Sequence, residues 1–285
     1  MASLKDLRLR IKSLRNTIKI TSAMKMVSAS KLRRAKEASI HSKPFMENLN
    51  GILNRVLENQ ENLNNPLFKS REVKTIRYLI ITSDRGLCGG FNNNLLKYFL
   101  THIDKSVPQI QIEVLGKKAK DFLSRRLPNP ILQHSVISAA PKYETAQTIA
   151  YKAIEAFQNN EIDKVVVVYN QFISTLTQKP LIQDLIPVQH SKKQTSFSNK
   201  DYIFEPNAQD LLKTLLPKQI SLQLFQALLD NAAGEHAARM TAMDNATSNA
   251  KELINLLTIK MNRARQAAIT TELTEIVSGA ESLKN

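Results

Sequence analysis

Two stretches of this 285-residue chain lack the residues that break helices, and they lie at its two ends. No glycine or proline occurs before Pro44, and residues 218–278 contain no proline and one glycine, Gly234. In the first stretch apolar residues fall at Leu4, Leu7, Ile11, Leu14 and Ile18, alternately three and four apart, which is the seam of a coiled coil. The seam then moves to Ile20, Met24 and Val27, which reads as a stutter in the supercoil. In the second stretch small or apolar residues recur at Met243, Ala246, Ala250, Leu253, Leu257, Ala264 and Ala267. A helix of about 60 residues is about 90 Å long at about 1.5 Å per residue, more than a domain of this size can bury along its length. It needs another long helix beside it or a partner around it. Each end supplies what the other lacks, so an antiparallel coiled coil of the two termini is expected, the C-terminal helix reaching further. Ser3, with Asp6 three residues on, is the expected N-cap. Pro44 is expected to end or kink the first helix, and Pro217 to interrupt or restart the last.

Between the ends the pattern changes to strands alternating with helices. Strands are expected over residues 75–82 (TIRYLIIT), 111–115, 136–138, 165–172 (VVVVYNQF), 181–188 and 201–204, and helices over 93–103, 117–126 and 142–158. Such alternation implies a mostly parallel sheet covered on both faces, with the last two strands as an antiparallel edge because no helix separates them. The chain is therefore divided into residues 1–65, an N-terminal coiled-coil helix, residues 66–206, a central Rossmann-like α/β domain, and residues 207–285, a C-terminal coiled-coil helix.

The net charge of +15 calls for an anionic partner: nucleic acid, a lipid surface or acidic protein segments. Most of it lies at one end, since residues 1–43 hold 12 Lys or Arg against Asp6 and Glu37. These cations are read as surrounding the helix, with no aromatic residue before Phe45 on which bases could stack. A single cysteine, Cys88, excludes an internal disulfide and fits a reducing compartment. No apolar run approaches the roughly 20 residues needed to span a bilayer, and the helical pattern begins at once, leaving no room for a signal or transit segment. A soluble intracellular protein, or one peripheral to a membrane, is expected.

Candidate chemistry is sparse. The turn SDRGLCGG at residues 83–90 follows a strand and precedes a helix, where a phosphate loop would lie, but its glycine spacing fits neither phosphate-binding fingerprint. It is read as a tight turn that uses glycine for positive φ, and Cys88 as a packed structural residue. His41, His102, His134, His190 and His236 are scattered and make no metal-ligand spacing. Asp84 beside Arg85, and Glu272 with Glu275, would suit acid–base work only inside a pocket. No catalytic residue, metal or cofactor is assigned. A basic coiled-coil nucleic-acid-binding protein, expected to bind in a salt-sensitive way, and a nucleotide-binding α/β enzyme with helical extensions stand as alternatives.

Three stretches carry a resemblance: TIKITSAMKMVSASKLRRA at residues 17–35, ITSDRGLCGGFN at 81–92, and EHAARMTAMDNATSNAKELINLL with NRARQAAITTELTEIVSGA within 235–280. They resemble the γ subunit of F-type ATP synthases, and the resemblance runs the length of the chain in order. The lack of a paired-cysteine regulatory insertion and of a transit peptide points to the bacterial branch. The resemblance implies a non-catalytic rotor shaft, one per complex, on the axis of a ring of three α and three β subunits. Its foot would rest on the membrane c ring with ε alongside, on the cytoplasmic face of the bacterial inner membrane. Ion flow turning the c ring would drive the β subunits through their catalytic states, with no nucleic acid and no small-molecule substrate of its own. Residue by residue, Met24 and Lys25 resemble positions facing an acidic β segment. Arg265, Gln266, Thr270 and Glu272 resemble the upper contact with a β loop, and residues 269–280 the tip in an apolar sleeve. Tyr202, Ile203, Phe204 and Glu205 resemble the foot that meets the c ring and ε.

Overall fold

Helix α1 runs without interruption from Leu4 to Glu58 in the computed structural model, which describes residues 4–58, 65–127, 131–135, 140–188, 205 and 207–282. The last helix, α5, spans Ala208–Ser282. Between them come β1 (Thr75–Ile81), α2 (Phe91–His102), β2 (Gln109–Leu115), α3 (Lys117–Leu123), β3 (Ile131–Ser135), α4 (Tyr143–Gln158), β4 (Lys164–Phe172) and β5 (Gln178–Ile186). The expected strands at 136–138 and 201–204, and the Ser3 cap, lie outside the described residues. The expectation that a proline breaks the helix needs correction at both positions. Neither Pro44 nor Pro217 ends its helix. Pro44 lies on the exposed side of α1, so its ring displaces no packed neighbour. The carbonyl of Pro217 accepts a hydrogen bond from Ser221 Oγ at 2.7 Å, which adds a local tie where the backbone ladder loses a donor.

The chain divides into two units, residues 1–28 with 240–285, and residues 29–239. In the first, the two helices pair antiparallel, because Thr21 meets Thr247 and, further along α1, Lys25 meets the earlier Asp244. The expected stutter is absent. The α1 seam continues in its three–four rhythm through Thr21 and Ser28, 7% and 3% exposed, whereas Ile20 and Val27 are 61% and 55% exposed. Apolarity alone misplaced the seam by one residue because two of its positions are hydroxyl residues. On α5 the inward line is Met243, Thr247, Ala250, Ile254, Leu257, Met261, Ala264 and Ala268, so that Leu253 and Ala267 face outward.

In the second unit a five-stranded sheet has the order β3-β2-β1-β4-β5. β1 is parallel to both β2 and β4, β2 is parallel to β3, and β5 closes one edge antiparallel to β4. Side chains alternate along each strand, so one face takes Tyr78, Ile80, Val114 and Val168 against Leu95, Phe99 and Leu123 of α2 and α3. The other takes Leu79, Ile81, Val165 and Val167 against α4 and against Leu53 and Val56 of α1 and Leu212, Leu216 and Ile220 of α5. Both faces are thus covered, as a parallel sheet requires. The third strand, ILQHS, was not expected; it is short and has no alternating pattern.

The α1 and α5 helices are also tied by side chains here. Gln226 donates to Ser39 Oγ at 2.7 Å and to Asp230 Oδ1 at 3.0 Å, and accepts from Ser42 Oγ at 3.0 Å. Burial raises the Asp230 carboxyl from 3.8 to about 6 against the smaller opposing effect of the Gln226 bond. A carboxyl raised in the fold destabilises it once ionised, with full effect above pH 6 and none below its unfolded value near 4. Asp230→Asn keeps the acceptor without the charge. It is expected to stabilise the protein by about 1–3 kcal/mol at pH 8, a gain that fades between pH 6 and 4 in thermal unfolding.

Candidate functional site

The turn after β1 is closed by its own side chains. The Ser83 amide donates to Asn92 Oδ1 at 3.0 Å, and Asn92 Nδ2 reaches Ser83 Oγ at 2.7 Å and Cys88 Sγ at 3.3 Å. Asp84 accepts from the Lys117 amide at 2.8 Å, which ties the turn to the start of α3. Gly89 has φ +57°, as expected for this turn, and Leu87 reaches φ +63° without being glycine. The Ser83, Asp84 and Asn92 side chains are thus committed within the chain. Cys88 is buried, and burial pushes its thiol above the usual range, which holds it in the unreactive protonated form. Cys88→Ser is therefore expected to leave function within about twofold of the parent and to lower stability by about 1 kcal/mol or less, read in activity and melting assays.

Arg239 of α5 crosses to this turn. It is 8% exposed, and Nε donates to Gly86 O at 3.2 Å while Nη2 donates to Arg85 O at 3.3 Å and to Glu235 Oε1 at 2.6 Å. Burial raises the Glu235 carboxyl although Arg239 opposes the shift. Another buried acid, Glu113 on β2, is raised by burial with Arg77 and Lys152 opposing. Neither belongs to a constellation that could do acid–base work, and no metal-binding group of three His, Cys, Asp or Glu occurs among the described residues. The sequence reading passed over Glu235 and Arg239. Their i, i+4 spacing inside a run of alanines was the available signal.

The remaining candidates lie on the coil. Lys25 Nζ is 2.6 Å from Asp244 Oδ1, both side chains half exposed, and Met24 beside it is half-buried. Five cations of α1, Lys5, Arg8, Lys12, Arg15 and Lys19, each follow a seam position by one residue and are exposed. They form one stripe along a flank of the seam, while Arg10, Lys31 and Arg34 each precede a buried seam position and lie on its other flank. Arg265, Gln266, Thr270 and Glu272 are exposed, as is every residue of 269–280, including Ile269, Leu273, Ile276 and Val277. Lys25 and Arg265 do not converge: Asp244, the residue Lys25 meets, lies 21 residues or about 30 Å along α5 from Arg265. Of the foot residues, Tyr202, Ile203 and Phe204 lie outside the described residues, and Glu205 is exposed. No helix among the described residues is long and apolar enough to cross a membrane. The arrangement offers surfaces for partners on a long two-helix coil.

Comparison with known proteins gives a consistent result. A family model described as ATP synthase matches residues 3–283. The chain is 44% identical over 284 residues to the ATP synthase gamma chain of Pelotomaculum thermopropionicum, covering all of both chains. It is 45% identical over 284 residues to the gamma chain of Desulforamulus reducens, again over the whole of each. Among solved structures it superposes on a chain of the Euglena gracilis mitochondrial ATP synthase with a TM-score of 0.70 at 18% identity, covering 98% of this chain and 94% of that one.

Proposed function

The chain belongs to the ATP synthase gamma-chain family, whose members are non-catalytic rotor shafts, and from that premise we propose how its surfaces meet their partners and turn with them. The carrying observation is the fully exposed end of α5, residues 269–280, with four large aliphatic side chains facing outward. Such a surface belongs inside a partner. The partner is a ring of three α and three β subunits, with the coil on its axis.

Lys25, beside Met24, faces an acidic β segment; the cation stripe of α1 gives a negatively charged housing an attraction spread along the helix. Arg265, Gln266, Thr270 and Glu272 make the upper contact with a β loop. Residues 202–205 belong to the foot, which meets the membrane c ring and ε on the cytoplasmic side of the bacterial inner membrane. In this division residues 1–65 and 207–285 are the arms of the shaft and 66–206 its body. Because the shaft is unlike on its different sides, each orientation stabilises a different set of β conformations, and ion-driven turning cycles the catalytic sites.

With the chain as bait, α, β and ε subunits are expected in a pull-down. Recovery of nucleic acid lost with rising salt, in place of these subunits, would turn the reading to the DNA- or RNA-binding alternative. Arg265→Ala with Gln266→Ala is expected to lower ATP synthesis by about tenfold, the loss of about 1.4 kcal/mol of contact. Parental rates in membranes carrying the double variant would remove both residues from the interface.

A further inference from the structure

Gly234 of α5 lies where the helix meets the loops at the carboxyl edge of the sheet. A Cβ on Gly234 would stand 2.9 Å from Phe91 Cε2, the first residue of α2, and 3.2 Å from Gln178 Cγ, the first residue of β5. Phe91 is held in turn, since its carbonyl accepts from Asn170 Nδ2 of β4 at 3.2 Å. One turn further along α5, the Arg239 guanidinium spans the Arg85 and Gly86 carbonyls, with Glu235 on one side and His236 Nδ1 at 3.3 Å from Nη1 on the other. Guanidinium has no acceptor, so His236 accepts here and carries its ring proton on Nε2. The next turn residue, Leu87, is at φ +63°, a conformation that persists only where its surroundings over-determine it.

Elsewhere α5 is joined to the sheet by apolar contacts. These set the packing of helix on sheet by shape, without the fixed bond directions of a hydrogen-bonded group. A planar guanidinium on two carbonyls has such directions, because its donors lie in a fixed fork. We propose that Gly234, Glu235 and Arg239 form the torsional joint of the rotor, locking the α/β body to the α5 helix so that both turn together. Arg239 is a positioning residue: it touches no nucleotide and acts by keeping the turn at residues 83–90 from slipping against α5. The proposal rests on the rotor reading above.

The test uses the whole ATP synthase in inverted membrane vesicles, comparing the parent with Arg239→Lys, Arg239→Gln and Glu235→Gln. Lysine keeps the charge and loses the fork, and glutamine loses both. Ion uptake per ATP hydrolysed is expected to fall about threefold or more in Arg239→Gln and less in Arg239→Lys, with hydrolysis largely retained, as charge-assisted bonds are lost stepwise. A merely structural role would lower hydrolysis and uptake together, in proportion to the complex lost, and that result overturns the proposal. So does uptake per ATP equal to the parent's in all three variants. Should the Arg239 variants fail to assemble, Glu235→Gln, which keeps an acceptor for Arg239, decides by the same ratio. Absence of ATP-driven uptake in the parent complex would instead defeat the rotor reading itself.

Discussion

Gly116→Ala is expected to prevent the α/β body from folding, or to lower its thermal midpoint by about 10 °C, equivalent to a loss of about 3–5 kcal/mol. Gly116 links β2 to α3 at φ +114°, and a Cβ there would stand 2.3 Å from the carbonyl oxygen of Thr82 and 2.8 Å from its carbonyl carbon. Both obstacles are backbone and cannot rotate away. They are also fixed, because the Thr82 amide donates to Leu115 O at 2.8 Å and Thr82 Oγ1 accepts from the Ala119 amide at 3.0 Å. Any retreat of Thr82 would break the junction of the two central strands. Gly51 is the control: it is helical, with nothing within 4 Å of an added Cβ. Gly51→Ala is expected to stabilise α1 by up to about 1 kcal/mol through helix propensity. A melting experiment in which both variants behave alike would show that Gly116 is not under this constraint.

The second large effect is functional. Lys25→Glu is expected to cut ion uptake per ATP by about tenfold while costing the fold about 1 kcal/mol or less, since an exposed ion pair contributes little and like charges across an interface contribute much. The substitution sets a carboxylate against Asp244, whose Oδ1 is now 2.6 Å from Lys25 Nζ, and against the proposed acidic β segment. The reversed pair, Lys25→Glu with Asp244→Lys, separates the two. It restores the bridge within the chain and leaves the partner facing the wrong sign at position 25. Coupling that stays low in the double variant assigns Lys25 to the interface. Coupling that returns assigns it to the coil and removes it from the contact surface.

The parts of the fold that could be read in advance are those whose pattern follows a local rule. Residues 75–81 and 164–172 are nearly continuous apolar runs because both faces of the sheet are covered, and α2 and α4 show helical periodicity because each buries one face. β3 has no such rule to obey. The seam departs from the apolar pattern where it is polar: Thr21 packs on Thr247 and Ser28 is buried, while the apolar neighbours Ile20 and Val27 face outward. Pro44 is tolerated inside α1, which buries Leu32 and Ala35 before it and Leu49 and Leu53 after it. The candidate contacts differ again. Arg265 and Glu272 have nothing in this chain to mark them as functional, since what they act on lies on other chains. Their assignment came from resemblance alone, whereas the Arg239 joint, satisfied within the chain, needed coordinates to be seen.

The hydroxyl pair in the seam also bears on how a two-helix rod can deform. Sliding α1 past α5 by one heptad would part Thr21 from Thr247 and break their 2.7 Å bond, although each hydroxyl also lies within reach of a carbonyl of its own helix, Thr17 O and Met243 O. Each hydroxyl keeps that intrahelical acceptor after such a slide, so the slide costs one interhelical bond, about 0.5–1.5 kcal/mol. The coil is thereby keyed to one alignment of α1 on α5 by a polar contact inside a mostly apolar seam.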